Sequence, residues 1–176
     1  MAQSAIRIRP ATPADASAVA RTHVDSWRTT YQGLVSEKAF AKRTYQERET
    51  VWTRVLADPT QFVFVAETEG QIVGFSNGGR IRGAVPGYSG ELYSMYILKE
   101  YQRIGLGRAL TRSIAEKLAE AGLTSMLIWV LRDNPSRRFY EAIGGTLVGS
   151  RPIDLEGRIL EEVSYGWPDL RVLLNG

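Results

Sequence analysis

Glu91-Leu92-Tyr93-Ser94-Met95-Tyr96-Ile97-Leu98 leads, through Lys99-Glu100-Tyr101, into Gln102-Arg103-Ile104-Gly105-Leu106-Gly107-Arg108. The stretch from Leu92 to Leu98 is apolar enough for a buried strand. Leu106, Leu110, Ile114 and Leu118 then recur every fourth residue until Gly122, the pattern of a helix stopped by glycine. A strand, a glycine-containing loop and a helix start together make an anion site. The first backbone N–H groups of the helix have no internal partner, and the helix dipole adds partial positive charge there. Gly105 and Gly107 are expected to remove side chains that would hold a phosphate away. Arg103 and Arg108 add formal charge, and Arg112 follows one turn on.

Two other phosphate loops are excluded. A Gly-Lys-Ser/Thr loop fails because Arg108 and Ala109 follow Gly107, and a dinucleotide fingerprint fails because Leu110 stands where its third glycine belongs. What remains, Gln-x-x-Gly-x-Gly between a strand and a helix, resembles the acetyl-coenzyme-A pyrophosphate loop of the GNAT superfamily of N-acetyltransferases.

Composition agrees with a soluble domain. The 176 residues are 44% apolar and 23% charged, which suits a single domain spanning the chain. There are no cysteines, so no disulfide framework, thiolate metal site or cysteine nucleophile is available. The single histidine, His23, cannot build a multi-histidine metal site, so no metal is expected. Met1 to Pro10 has no apolar signal core and no stretch approaches membrane-spanning length, so a cytoplasmic location without membrane contact is expected. The net charge of +3 comes from scattered arginines, with local excesses at 103–112 and 132–138. A phosphorylated cofactor explains those clusters more economically than nucleic acid, which is not expected as a partner.

Along the chain, Ala5 to Arg9 reads as an edge strand. Thr12-Pro13-Ala14-Asp15 opens a helix carrying Ala16, Val19, Ala20, His23 and Trp27 on one stripe. A second helical region starts near Ser36, and Thr44-x-x-Glu47 opens another, with Val51, Trp52, Val55 and Leu56 inward. Gln61–Glu67 and Gln71–Gly79 read as a hairpin about Thr68-Glu69-Gly70. Arg80 to Gly90 is a loop long enough to serve as a mobile lid. Thr124 to Leu131 reads as a buried strand parallel to the Leu92 strand, because a helix connects the two. Asn134 caps and Pro135 opens a short helix ended by Gly144-Gly145. Thr146–Ile153 and Ile159–Trp167 form a last hairpin, and Pro168 to Gly176 is a tail.

That order, β-α-α-β-β-β-α-β-α-β-β, is a second agreement with the GNAT superfamily. The resemblance implies an α/β (α+β) fold, a mixed and mostly antiparallel sheet of about seven strands with helices on both faces. It also implies a split between the two parallel central strands, in which acetyl-CoA lies. The activity implied is direct transfer of an acetyl group from acetyl-CoA to a primary amine in a ternary complex. A non-catalytic acyl-CoA sensor is the alternative, and homodimers are common in the family.

The resemblance also places roles on residues of this chain. Backbone N–H groups from Gln102 through Arg103, Ile104, Gly105, Leu106, Gly107 and Arg108 would hold the pyrophosphate. The backbone of Met95, Tyr96 and Ile97 would pair with the pantetheine arm like an added strand. The Met95 N–H would polarise the thioester carbonyl. Asn134-Pro135-Ser136-Arg137-Arg138-Phe139-Tyr140 resembles the family's second cofactor segment, with Asn134 and Ser136 at the cofactor arm and Tyr140 as general acid. A lysine-type amine is mostly charged at neutral pH, so a base is needed. Glu91, fourteen residues before Gly105, matches the family's glutamate. Four strand residues span about 13 Å, so a water or a strand bulge would have to link Glu91 to chemistry at Met95. Tyr93, two residues on and on the strand face of Glu91, is a further candidate for lining the acceptor site. Trp27 and Tyr31, at helical spacing with His23, would wall the acceptor site. An aromatic pocket carrying Glu91 should prefer a cationic amine.

Overall fold

Residues 5–176 are described in a computed structural model. Residues 1–4, part of the stretch read as lacking a signal core, lie outside the described residues. Seven strands form one sheet in the order β1-β2-β3-β4-β5-β7-β6. They are β1 (Arg7–Pro10), β2 (Phe62–Thr68), β3 (Gln71–Arg80), β4 (Gly90–Ile97), β5 (Met126–Leu131), β6 (Thr146–Leu155) and β7 (Arg158–Trp167). Every neighbouring pair is antiparallel except β4 and β5. The parallel pair is the consequence of the helix that joins those two strands, as the sequence predicts.

The helices are α1 (Ala16–Tyr31), α2 (Glu37–Lys42), α3 (Tyr45–Ala57), α4 (Leu106–Glu120), α5 (Arg137–Ala142) and α6 (Arg171–Leu174). Their starts follow the expected caps in part. The Thr12 N–H donates to Asp15 Oδ2 at 2.7 Å, but a 3-10 turn over Pro13–Asp15 precedes α1. Ser36 Oγ accepts from Ala39 N–H and Thr44 Oγ1 accepts from Glu47 N–H. The expected cap of the short helix moves from Asn134 to Ser136. Asn134 Oδ1 instead accepts from the Ser136 N–H at 2.9 Å, an Asx turn that delays the helix.

The apolar stripe of α4 is buried as its period predicts: Leu106, Leu110, Ile114 and Leu118 all lie in the core. This helix lies close to the sheet. A methyl group on Gly78 would meet Ile114 at 2.7 Å, and one on Gly90 would meet Leu118 at 2.8 Å. On the other face α1 and α3 cover β2 and β3 through Val19, Ala20, Trp52, Val65 and Phe75. The inward side of α3 is narrower than its period predicts, since only Trp52 is fully buried there.

Two expectations are corrected. The segment from Pro168 is not a bare tail: Leu170 and Leu173 enter the main core, and Leu170 N–H bonds to Thr124 C=O. The loop 81–89 is tied down rather than open. Ile81 N–H bonds to Ser89 C=O, Ser89 N–H donates to Ser125 Oγ at 2.9 Å, and Arg82 is held by Glu91.

Candidate active site

β4 and β5 pair at only two positions, Gly90 with Met126 and Glu91 with Leu127. Beyond Glu91 they part, and β5 continues against β7 while β4 continues against β3. Along β4, Leu98 N–H bonds to Val73 C=O on β3. Alternate residues of an antiparallel pair direct their N–H and C=O to the same side, so Tyr96 faces β3 as well. Met95 and Ile97 therefore turn their backbone groups into the split. The Ile97 C=O is reached there by the Gln102 side-chain amide at 3.0 Å. A row of backbone donors and acceptors without a strand partner is what an amide-rich chain can pair with. The register of β3 and β4 slips between Asn77 and Gly78, which leaves Tyr93 as the extra, bulged residue.

The open end of this split faces the start of α4. The first helix-capping bond there runs from Ala109 N–H to Gly105 C=O at 3.1 Å. The N–H groups of Leu106, Gly107 and Arg108 are therefore free of helix partners. Arg103 has φ 61° and Gly105 φ 90°, so the chain turns through two left-handed residues before entering the helix. A turn of this kind aims successive N–H groups outward, a shape that can receive an anion. Arg103, Ile104 and Arg108 are exposed, and neither arginine has an acidic partner among the described residues. Gly107 has a different reason from the one expected. A methyl group at Gly107 would meet the Phe139 ring at 3.0 Å, so this glycine seats α5 against α4.

Opposite β4, the turn after β5 brings Asn134 and Tyr140 to the split. Tyr140 is 4% exposed, and its ring packs against Phe139, Tyr165 and Trp167. Asn134 Nδ2 reaches the Tyr31 hydroxyl at 3.4 Å. A hydrogen bond joins the Tyr31 and Tyr96 side chains, and Tyr140 acts electrostatically on Tyr96. Three phenol groups from α1, β4 and α5 thus gather with Asn134. Burial, helped by the neighbouring Tyr31, pushes the Tyr140 pKa well above the ordinary phenol value. Burial also raises that of Tyr96, with Tyr31 adding to it. Both phenols are protonated at neutral pH and are donors. Trp27 is buried beside Tyr31, with ring centres 5.2 Å apart. Ser136 caps α5 next to Asn134.

Glu91 lies at the closed end of the split, 1% exposed. Its Oε2 accepts from Arg82 N–H at 2.8 Å, and its Oε1 accepts from Arg82 Nη2 at 2.7 Å and Nε at 3.2 Å. The Arg82 guanidinium also sits 4.2 Å above the Tyr93 ring. The Tyr93 hydroxyl is spent on the Arg80 C=O at 2.5 Å. Glu91 and Tyr93 are thus bound up with the 81–89 loop and stand apart from the tyrosine cluster. The charge expected to attract a cationic amine is neutralised by Arg82. Arg82 carried no signal in the sequence, because only the fold brings its loop back onto β4.

The sequence also did not reveal what His23 does. Its ring stacks on Tyr96 at 4.8 Å, its Nδ1 accepts from Trp52 Nε1–H at 3.0 Å, and its Nε2 faces Arg43 Nη1 at 3.5 Å.

Comparisons with known proteins agree with this geometry. Residues 77–151, which hold the split, the helix start and Tyr140, match the FR47-like protein family. An N-acetyltransferase of Bacillus subtilis (strain 168), YuaI, is 41% identical over 169 residues, covering 96% of each chain. YncA of Salmonella typhimurium, a putative acetyltransferase solved with its cofactor acetyl-CoA, superposes with TM-score 0.68 at 23% identity, over 94% of each chain. PaiA N-acetyltransferase of Thermoplasma acidophilum, solved with coenzyme A, superposes with TM-score 0.66 at 19% identity, over 93% of this chain and 99% of that one. At those identities the two structures speak for the fold, whereas the Bacillus relative speaks for the family. A mixed sheet parted between its two parallel strands, with a bare helix start at its open end, and a relative alike along nearly its whole length, lead to one conclusion: the chain belongs to the GNAT superfamily of N-acetyltransferases.

Proposed function

We propose that the protein, as a single domain over residues 1–176, moves an acetyl group from acetyl-CoA directly to a primary amine. The observation that carries this reading is the parting of β4 from β5 after Glu91, with an anion-binding helix start at one end and three phenols at its middle. The residues present fit the cofactor: free N–H groups at Leu106, Gly107 and Arg108 suit a diphosphate, and the inward backbone of Met95 and Ile97 suits an amide-rich arm. Acetyl-CoA supplies the acetyl group as an activated thioester.

The chain's own groups do the rest. The N–H groups of the 102–108 loop, with Arg103 and Arg108, hold negative charge at the helix start. The Met95 N–H, directed into the split, stabilises charge developing on a carbonyl oxygen. Tyr140 donates a hydrogen bond to the departing sulfur. Its raised pKa makes that bond, more than a completed early proton transfer, its contribution. Asn134 and Tyr31 position Tyr140's surroundings. Glu91 takes the amine proton through water only when Arg82 swings away; with Arg82 in place its oxygens are occupied. No cysteine is present to carry the acetyl group between two half-reactions.

Calorimetry with coenzyme A, followed by transfer assays against a panel of amines, tests the proposal. Binding with turnover supports it. Binding with no turnover on any amine would favour the sensor reading, and no binding would remove both. The family resemblance extends the proposal to a cytoplasmic homodimer, which light scattering on the purified chain checks.

A further inference from the structure

The wall of the split between α1 and α3 is cationic, and its charge is not balanced. Arg43, between α2 and α3, is half-buried over the Trp27 ring at 4.4 Å. It has no carboxylate partner among the described residues. Glu47, the acid beside it, is engaged by Arg48 through two hydrogen bonds. Asp25 accepts from the Tyr45 hydroxyl at 2.6 Å. Arg28 Nε is buried with no hydrogen-bond partner, and Arg28 Nη2 is spent on the Arg43 C=O at 3.5 Å. Arg43 and Arg48 both act on Glu47, whose hydrogen bonds go to Arg48, while Arg28 lies over the Tyr45 ring near Asp25, so Arg43 is left without a direct ion pair.

His23 sharpens the point. The Trp52 indole N–H can only donate, so His23 Nδ1 must be the bare acceptor. A ring kept neutral by burial then carries its proton on Nε2. That N–H points at Arg43 Nη1, 3.5 Å away, donor against donor. His23 is 6% exposed, so bulk water does not supply the missing acceptor freely. Two donors aimed at the same space, one buried and one half-buried and charged, call for an anionic acceptor. The space adjoins the tyrosine cluster, since His23 stacks on Tyr96 and Arg43 acts electrostatically on both Tyr31 and Tyr96.

We propose that the amine acceptor is a small molecule bearing a carboxylate, which docks on Arg43 and the His23 Nε2–H while its amine points to the split. This rests on the acetyl-transfer reading and gives it a substrate class. It also changes the ground for the expected preference for a cationic amine, because Arg82 pairs with Glu91 while Arg43 has no direct ion pair. A carboxylate can take a forked pair of bonds from a guanidinium, and its second oxygen can accept from the histidine. A carboxamide of the same shape offers one acceptor and a misplaced donor, so it should be discriminated against strongly.

The test pairs amino acids with their carboxamides, with rates referred to the neutral amine. The acids are expected to exceed the amides by about 10- to 100-fold in kcat/KM. Arg43→Gln should erase that preference mainly through KM, and Arg43→Lys should restore part of it. A second readout needs no turnover: the indole N–H resonance of Trp52 should shift on adding the carboxylates, but not the amides, and not in Arg43→Gln. Equal use of acids and amides, or a preference that survives Arg43→Gln, overturns the proposal. Carboxylate-specific shifts in a protein that neither binds coenzyme A nor transfers acetyl would support this subsite while striking the acetyl-transfer reading.

Discussion

Arg82 closes onto Glu91 at the point where the two parallel strands separate, donating from its backbone and from two guanidinium nitrogens to one buried carboxylate. Glu91 is 1% exposed while the Arg82 side chain is 62% exposed, so the pair joins the core to the rim. A buried carboxylate that lost the guanidinium would keep its desolvation cost with only the residue-82 backbone N–H to offset it. Arg82→Ala is therefore expected to destabilise the fold by about 1–3 kcal/mol and to loosen the 81–89 loop. Urea denaturation measures the first and amide hydrogen exchange of 81–89 the second. The same variant releases Glu91 Oε1 from the guanidinium while the backbone N–H stays on Oε2, which makes the proposed base role testable. A gain in kcat that a further Glu91→Gln substitution abolishes would assign proton removal to Glu91, whereas unchanged turnover would leave it as an anchor for the loop.

Tyr140 is the residue proposed for the leaving-group side. Its hydroxyl makes no hydrogen bond to another described residue, although its ring is packed on three aromatic neighbours. Tyr140→Phe should keep that packing and remove only the donor. We expect kcat to fall by about 10²- to 10⁴-fold, with the heat and affinity of coenzyme A binding nearly unchanged. A variant with full turnover would take Tyr140 out of the chemistry. A variant with lost cofactor affinity would make it a binding residue instead.

The two glycines at the head of α4 should fail differently. Gly105 has φ 90° and open space around it, so Gly105→Ala costs backbone strain of about 1–2 kcal/mol without a clash. Gly107→Ala brings a methyl group to 3.0 Å from the Phe139 ring, which must give by a few tenths of an ångström next to Tyr140. An overpacking cost of about 1–3 kcal/mol is expected. Adding Phe139→Leu should recover part of the Gly107→Ala loss and none of the Gly105→Ala loss. A double-mutant cycle read by thermal denaturation decides this, and additive effects would refute the contact.

How far the sequence could be read follows from which interactions are local. The α4 stripe, the hairpin turn at Glu69-Gly70 and the parallel pairing of β4 with β5 depend on spacing within short windows, and all three stand in the structure. The family motifs likewise lie within one stretch, 91–143. What spacing could not give was where long side chains end. Arg82 meets Glu91, Trp52 meets His23, and Arg43 lies over Trp27 without a direct ion pair, only because separate elements converge. Gly107 illustrates the same limit. Its neighbourhood in sequence suggested a phosphate, while its neighbour in space is Phe139. The segment after Pro168 looked like a tail because its two core residues, Leu170 and Leu173, are too few to show a period.

The buried His23 makes stability depend on pH in a defined direction. Burial, aided by the Arg43 and Arg48 charges, lowers its pKa from 6.5 to about 3 in the folded protein. In the unfolded chain the ring titrates normally. Between those two values the unfolded state binds the extra proton, so unfolding becomes easier as pH falls from about 6.5 towards 3. Above that range both states hold a neutral ring and His23 contributes no slope. The full displacement is on the order of 4–5 kcal/mol, an upper figure for a group that relaxing neighbours and entering water will partly solvate. His23→Gln retains a side-chain acceptor for the Trp52 indole but cannot titrate. Its denaturation free energy should be lower than that of the unaltered protein at pH 7, and the gap should narrow by a few kcal/mol towards pH 4. Chemical denaturation at four or five pH values measures both curves. Parallel curves would mean that the folded ring takes up its proton as readily as the unfolded one, and the picture of a buried ring held neutral would fall with that result.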